Sequence, residues 1–142
     1  MSATSVQFTV AAHLMTVLAF HDGKRIASSL LAASINTDPS FVRKSLSKLA
    51  KAGLVTTHRG KGGASVLARS PRQITLLDIY RASHAPAAFA IHSYPPAKAC
   101  VISCSIKHGL SSVLRRAQGS FERSLGRISL ADLVAQIRRK SR

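Results

Sequence analysis

The chain has 142 residues, of which 46% are hydrophobic, enough for one domain with a buried core. Its 21 Lys and Arg against 5 Asp and Glu leave a formal charge of +16, which favours a polyanionic partner. No apolar run reaches the roughly 18 residues of a membrane-spanning helix, and two cysteines without an export signal read as reduced thiols in a cytoplasmic setting.

Val6, Val10, Leu14, Val17 and Leu18 recur at helical spacing, and Gly23 ends that first helix. His13 reads as an ordinary helix residue. Ile26 to Ile35 reads as a short helix whose apolar side carries Leu30, Leu31 and Ile35. Asn36 and Thr37 turn the chain into a second helix. Asp38 is suited to cap it, and Pro39 sits at the first helical position, where a missing N–H costs nothing. Phe41 or Val42, with Leu46 and Leu49, form an apolar stripe. Ser40, Arg43, Lys44, Ser47, Lys48 and Lys51 form the opposite face, which has no carboxylate. A solvated helix gains from mixed signs, whereas a helix meant for the major groove does not, because phosphates repel carboxylates. Gly53 suits the left-handed residue that ends such a helix, with Leu54 packing back.

Leu54 to Thr57 and Ser65 to Leu67 read as strands joined by HRGKGGA, where Gly60, Gly62 and Gly63 permit a tight hairpin. The order is helix, polar turn, basic helix, then β-wing: a winged helix-turn-helix. Arg43, Lys44 and Ser47 are candidates for base edges, and Lys48, Lys51, Arg59 and Lys61 for phosphates. A nucleotide-binding P-loop is excluded, since its glycines must follow a strand and open into a helix.

Beyond the wing, Ser70-Pro71-Arg72 breaks the chain. Thr75 and Asp78 have capping-box spacing with Ile74 as staple, and the helix that follows, to about Ser83, is expected to cover the wing from outside. Residues 85–99, with Pro86, Pro95 and Pro96, read as a connector ordered only where neighbours hold it. From about Ser103 a long amphipathic helix carries Ile106, Leu110, Val113, Leu114, Ala117, Phe121 and Leu125, most simply for dimerisation. Ser129 and Asp132 open a last helix with Leu130, Leu133, Val134 and Ile137, and the tail RRKSR reads as disordered.

The fold class is therefore mainly α with a small β-wing, a winged helix-turn-helix plus a long C-terminal dimerisation helix. The expected division is 1–83 for DNA binding, 84–104 for connector and sensor loop, and 105–142 for the dimerisation and last helices. The expected partners are a second copy and double-stranded DNA, whose site is a near-palindrome because two-fold-related helices meet successive grooves; no membrane is involved. A nonspecific nucleic-acid-binding protein is the alternative, although few aromatics argue against single-stranded RNA. Asp22, Asp38, Asp78, Glu122 and Asp132 are scattered, no Gly-x-Ser-x-Gly or His-Glu-x-x-His motif occurs, and although Cys100 with His92 or His108 could mimic a nucleophile pair, nothing marks a substrate pocket, so no enzyme is expected.

The blocks LAKAGLV, RGKGG, LAR-x-P and ITLLDIYRA, with a cysteine near residue 100 and the closing ISLADL, resemble the Rrf-two (Rrf2) family of bacterial winged-helix regulators. That family includes the iron–sulfur cluster regulator, the nitric-oxide-sensing repressor and the cysteine-metabolism repressor. The resemblance implies a homodimer that regulates transcription, usually by repression, at a palindromic operator. It implies DNA contacts at Ser40, Phe41, Arg43, Lys44, Ser47 and Lys48, and in the wing at Arg59, Lys61, Gly62 and Gly63. One departure is Ala64, where the family usually has a bulkier wing residue. Another concerns the sensor, because cluster-binding members carry three spaced cysteines. Here Cys100 and Cys104 stand with His108, and His92 is a loose fourth. The missing third cysteine disfavours an iron–sulfur cluster as cofactor. Non-sensing thiols, a thiol redox switch, a cluster or other metal, and a small ligand or partner protein near the dimerisation helix stay open.

Overall fold

The structure, a computed structural model, describes residues 5–21, 23–60 and 63–141. Lys61 and Gly62 of the expected wing contacts, Asp22 and the terminal Arg142 lie outside the described residues.

Helix α1 (Gln7–Phe20) is the centre of the core. It packs against the second, third, fourth and last helices and against the wing, so it is apolar on most of its circumference. Ala11, Leu14, Met15, Leu18 and Ala19 are its buried residues, with Val10 and Val17 partly buried against the cluster. The expected stripe is rotated: Val6 is 52% exposed.

Ile26–Ala27 is a short strand, β1, rather than the first turn of a helix. It pairs antiparallel with a strand late in the wing, Ile26 opposite Ser65 and Ala27 opposite Ala64, a partnership too distant in sequence for local spacing to reveal. Helix α2 (Ser28–Ile35) then buries Leu31 and Ala32, while Leu30 points outward at 54% exposure. Asn36 ends α2 in the left-handed conformation.

Helix α3 (Pro39–Lys51) forms as its sequence dictates. Asp38 caps it through Oδ1, which accepts from the Ser40 N–H at 3.1 Å, with Pro39 at the first position. Val42, Leu46 and Leu49 are buried. At the other end Gly53 has φ +76°, its N–H donates to the Ala50 carbonyl at 3.0 Å, and the Leu54 N–H donates to Leu49 at 3.0 Å. This is a Schellman stop, and Leu54 and Leu49 share the buried cluster.

Strands β2 (Val55–His58) and β3 (Ala64–Leu67) form the wing hairpin in the register Val55 to Leu67 through His58 to Ala64. The sheet order is β1-β3-β2. A 3-10 turn at Pro71–Gln73 leads to α4 (Leu76–Ala82), which carries the expected capping box and has Ile74 and Ile79 fully buried. Helix α4 does not cover the wing from outside. It packs on α1 and α3 and on the long helix that follows.

The connector between α4 and that helix contains neither helix nor strand, and a few side chains pin it. The Tyr80 hydroxyl donates to the Pro86 carbonyl at 2.6 Å and accepts from Gln118 at 2.9 Å, and the Ala88 N–H donates to Gln118 at 3.0 Å. Helix α5 (Val101–Gly126) begins ahead of its expected start near Ser103, and Leu125 is its buried residue. Tyr80 sits edge-on between Phe8 and Phe121, with centroids at 5.5 and 5.4 Å, so α5 is held near its C-terminal end.

Helix α6 (Leu130–Lys140) returns to α1 and buries Leu130 and Val134 there, so the last helix joins the winged-helix core rather than the long helix with which the 105–142 division grouped it. The tail is likewise ordered through Lys140. The Arg138 guanidinium lies 4.6 Å from the Phe20 ring centroid and donates to the Phe20 carbonyl at 3.2 Å, and the cations of this last turn suit the helix dipole.

Candidate nucleic-acid interface

The amphipathic pattern of α3 turns Val42, Leu46 and Leu49 into the core, so its other side must face out. Ser40, Phe41, Arg43, Lys44, Ser47 and Lys51 are exposed, and Lys48 is half-buried. Phe41 does not join the core, which takes Val42 instead, and at 37% exposure it stands among the cations. Asp38, the carboxylate nearest this surface in sequence, is engaged by Ser40. The Ser40 N–H and its hydroxyl, at 2.8 Å from Oδ2, together with the Arg43 charge hold the Asp38 carboxyl below the usual carboxylate range.

Two hollows flank the exposed ridge. On one side, Arg43, Ser47 and Lys51 face Thr57, His58, Arg59 and Gly60 of the wing across a groove of about 760 Å³. On the other, Phe41, Lys44, Ser47 and Lys48 face Gln7 and Val10 of α1. The structure thus brings Arg43, Ser47, Arg59 and Gly63 to one groove, and Phe41, Lys44 and Lys48 to its neighbour, with Ser47 on the crest. Gly63 adopts φ +52°, its N–H donates to the Gly60 carbonyl at 3.1 Å, and its own carbonyl accepts from the Ser28 N–H at 3.2 Å. A side chain at 63 would be strained by that φ. Sequence reasoning missed Ser28, which lines the groove at the start of α2 because β1 draws it to the wing. The run Ile26-Ala27-Ser28, an apolar pair before a serine, is the faint local trace of that strand.

The cysteines lie elsewhere. Cys100 caps α5, its Sγ accepting from the Ser103 N–H at 3.3 Å. Cys104 lies one turn on, its S–H directed to the Ala97 and Lys98 carbonyls at 3.7 and 3.9 Å. Both thiols are exposed. His108 follows Cys104 at helical i, i+4 spacing. Among the described residues no three His, Cys, Asp or Glu side chains are grouped to hold a metal ion. The described residues do not fit an iron centre or cluster within one chain.

A helix-turn-helix with an adjoining wing and a basic outward ridge defines a winged-helix DNA-binding protein. The family profile described as "Rrf2: Iron-dependent Transcriptional regulator" matches residues 4–136. The chain belongs to the Rrf2 family of transcriptional regulators. It is 33% identical over 129 residues to YwnA of Bacillus subtilis (strain 168), described as an HTH-type transcriptional regulator, covering 90% of this chain and 94% of YwnA. A crystal structure described as a transcriptional regulator from Lactobacillus plantarum superposes with a TM-score of 0.77 at 28% identity, covering 94% of this chain and 90% of that one. CymR, the global cysteine regulator of B. subtilis, shares the fold, with a TM-score of 0.69 at 23% identity, covering 96% of this chain and 98% of CymR. These relatives are regulators, not enzymes. Among the described residues no helix is long and apolar enough to cross a membrane.

Proposed function

We propose that the chain acts as a homodimeric, sequence-specific transcriptional repressor that binds a near-palindromic operator in double-stranded DNA. One observation carries the reading: the outward side of α3 is Ser40, Arg43, Lys44, Ser47, Lys48 and Lys51, beside a wing groove that carries Arg59. In the major groove Arg43, Lys44 and Ser47 would meet base edges, while Lys48, Lys51, Arg59 and Lys61 would meet phosphates. Ser40, Phe41, Gly62 and Gly63 complete the expected contact set. The dimer reading is supported by α5, whose apolar row of Ile102, Ile106, Leu110 and Val113 is left exposed by its own chain. Two copies pairing along this row would set two recognition helices about a two-fold axis.

The test is fluorescence anisotropy with DNA from upstream of the protein's own gene against a scrambled duplex, across a salt series. The reading predicts preferential, salt-sensitive binding to the upstream DNA. Equal binding to both duplexes would move the reading to a nonspecific nucleic-acid-binding protein.

A redox signal is a second reading, favoured by two exposed thiols at the start of α5. A disulfide between Cys100 and Cys104 would remove two protons and two electrons to an oxidant such as a peroxide. It would ask the first turn of α5 to open, since the Cys104 N–H bonds the Cys100 carbonyl at 3.1 Å. That motion lies on the proposed dimerisation helix. Anisotropy with a thiol reductant and then a mild peroxide tests it: Cys100→Ser should abolish any difference.

A further inference from the structure

We infer that the DNA-binding surface continues past the recognition helix onto a second basic patch. There Arg69, Arg81 and His84 join Lys48 and Lys51 to hold backbone phosphates of the duplex flanking each half-site. The inference rests on the DNA reading above and extends it to residues outside the helix-turn-helix and wing.

A cleft of about 370 Å³ separates the C-terminal end of α3 from α4, and these five basic side chains line it. They come from four places in the chain. Lys48 and Lys51 are on α3, Arg69 follows β3, Arg81 is in the last turn of α4, and His84 lies just beyond that helix. Backbone bonds bring them together. The Ala68 N–H donates to the Leu54 carbonyl at 3.0 Å, which draws the end of β3 against the stop of α3 and sets Arg69 beside the cleft. Helix α4 packs directly on α3. His84 adopts φ +56°, uncommon for a residue with a side chain, and its N–H donates to the Arg81 carbonyl at 3.2 Å, so the chain turns sharply at the cleft.

The cleft is net positive. Asp78 lines it, but its carboxylate accepts the Thr75 N–H of the capping box at 2.9 Å. Glu122 stands 3.9 Å from Arg81, whose side chain remains 66% exposed. Those two carboxylates face four permanent cations, and Arg81 is loosely held enough to turn to a phosphate.

Position singles out DNA as the source of that phosphate. Lys51 lines both this cleft and the wing groove, and Lys48 lines both this cleft and the hollow beside Ser47. The positive surface therefore runs from Arg43 through Lys51 to Arg81, past the C-terminal end of α3. A helix seated in the major groove lies between two phosphate walls. Arg and Lys suit phosphates, and the cleft offers no Asn or Gln amide of the kind that reads adenine.

The test uses the full chain and two labelled duplexes from upstream of its gene. One is trimmed to the two half-sites, and the other extends about ten base pairs, roughly one helical turn, at each end. R69Q/R81Q should bind the longer duplex more weakly, with a salt slope smaller by about two. It should match the parent on the trimmed duplex. R69K/R81K, which keeps the charge, should stay close to the parent on both. Circular dichroism checks the fold, and the single variants R69Q and R81Q each predict a slope change of about one. Equal binding of R69Q/R81Q and parent to the longer duplex overturns the inference, as does an equal loss on both duplexes. A parent that shows no preference for upstream DNA over a scrambled duplex overturns the DNA reading and this extension together. A parent that shows the preference, with R69Q/R81Q unchanged, overturns the extension alone.

Discussion

Thr75 and Ser129 face each other across an isolated antiparallel bridge, and each is also the N-cap of a helix with a complete capping box. The Leu76 N–H donates to the Ile128 carbonyl at 2.9 Å and the Leu130 N–H donates to the Ile74 carbonyl at 2.8 Å. The stretches ITLLD and ISLAD thus start α4 and α6 side by side. This junction returns the last helix to the core after α5 has left it. Ser129→Ala removes the acceptor of the Asp132 N–H, at 3.0 Å. It should destabilise the fold by about 1 kcal/mol in urea unfolding, while Ser129→Asp, another good cap, should stay near the parent. An unchanged midpoint for the alanine variant would mean that the bridge alone holds the junction.

The same caps set an acid limit. The Ser129 backbone N–H and hydroxyl hold the Asp132 carboxyl below its ordinary value, and Ser40 does the same for Asp38. A carboxylate with a lowered folded pKa adds stability above its unfolded pKa, near 4, and that contribution fades as pH falls through the folded value. The melting temperature should therefore not vary with pH through these groups near neutrality, and should fall below about pH 4. Asp132→Asn should lower it at neutral pH and flatten the acid limb. A parallel acid limb in that variant would assign the acid loss to other groups.

Features set by neighbours in sequence were legible before the fold was known. Asp38-Pro39, Gly53-Leu54 and both capping boxes lie within one helical turn of what they control. What escaped needed distant partners. Ile26 is a strand residue only because Ser65 lies opposite, Leu30 faces out because Leu31 and Ala32 take the core, and α6 belongs with α1 through contacts across the whole chain. At the interface, the α3 ridge was legible from its period, whereas the gathering of Arg69, Arg81 and His84 beside Lys51 depends on strand and helix packing that no local spacing encodes.

Arg43 and Lys48 should separate reading from holding. Arg43→Ala should lose roughly 1–3 kcal/mol on the preferred duplex if its contact is bidentate to guanine, and much less on scrambled DNA. Lys48→Gln should weaken both duplexes alike and lower the salt slope by about one. Competitive anisotropy over a salt series measures both. If the two variants shift preferred and scrambled DNA identically, the division between base edges and phosphates along α3 is wrong.

The apolar row of α5 predicts the assembly. Ile106 is 38% exposed and Leu110 is 37% exposed, although their helix is otherwise rich in cations. The connector touches α5 at Ser103 and Lys107, and Tyr80 of α4 meets it at Phe121, whereas Ile106 and Leu110 remain exposed, so substitutions at 106 and 110 should spare the core. Burying such side chains against a second copy contributes about 1.5–3 kcal/mol each, and a buried unpaired carboxylate would reverse that gain. I106E/L110E should therefore sediment as a monomer at concentrations where the parent is a dimer, with an unchanged circular dichroism spectrum. Because a single recognition helix then meets one half-site, preference for the upstream duplex should fall sharply while weak binding to any DNA remains. A variant that still sediments as a dimer would move the interface off this row; a monomeric variant with undiminished preference would mean that one recognition helix suffices for specificity.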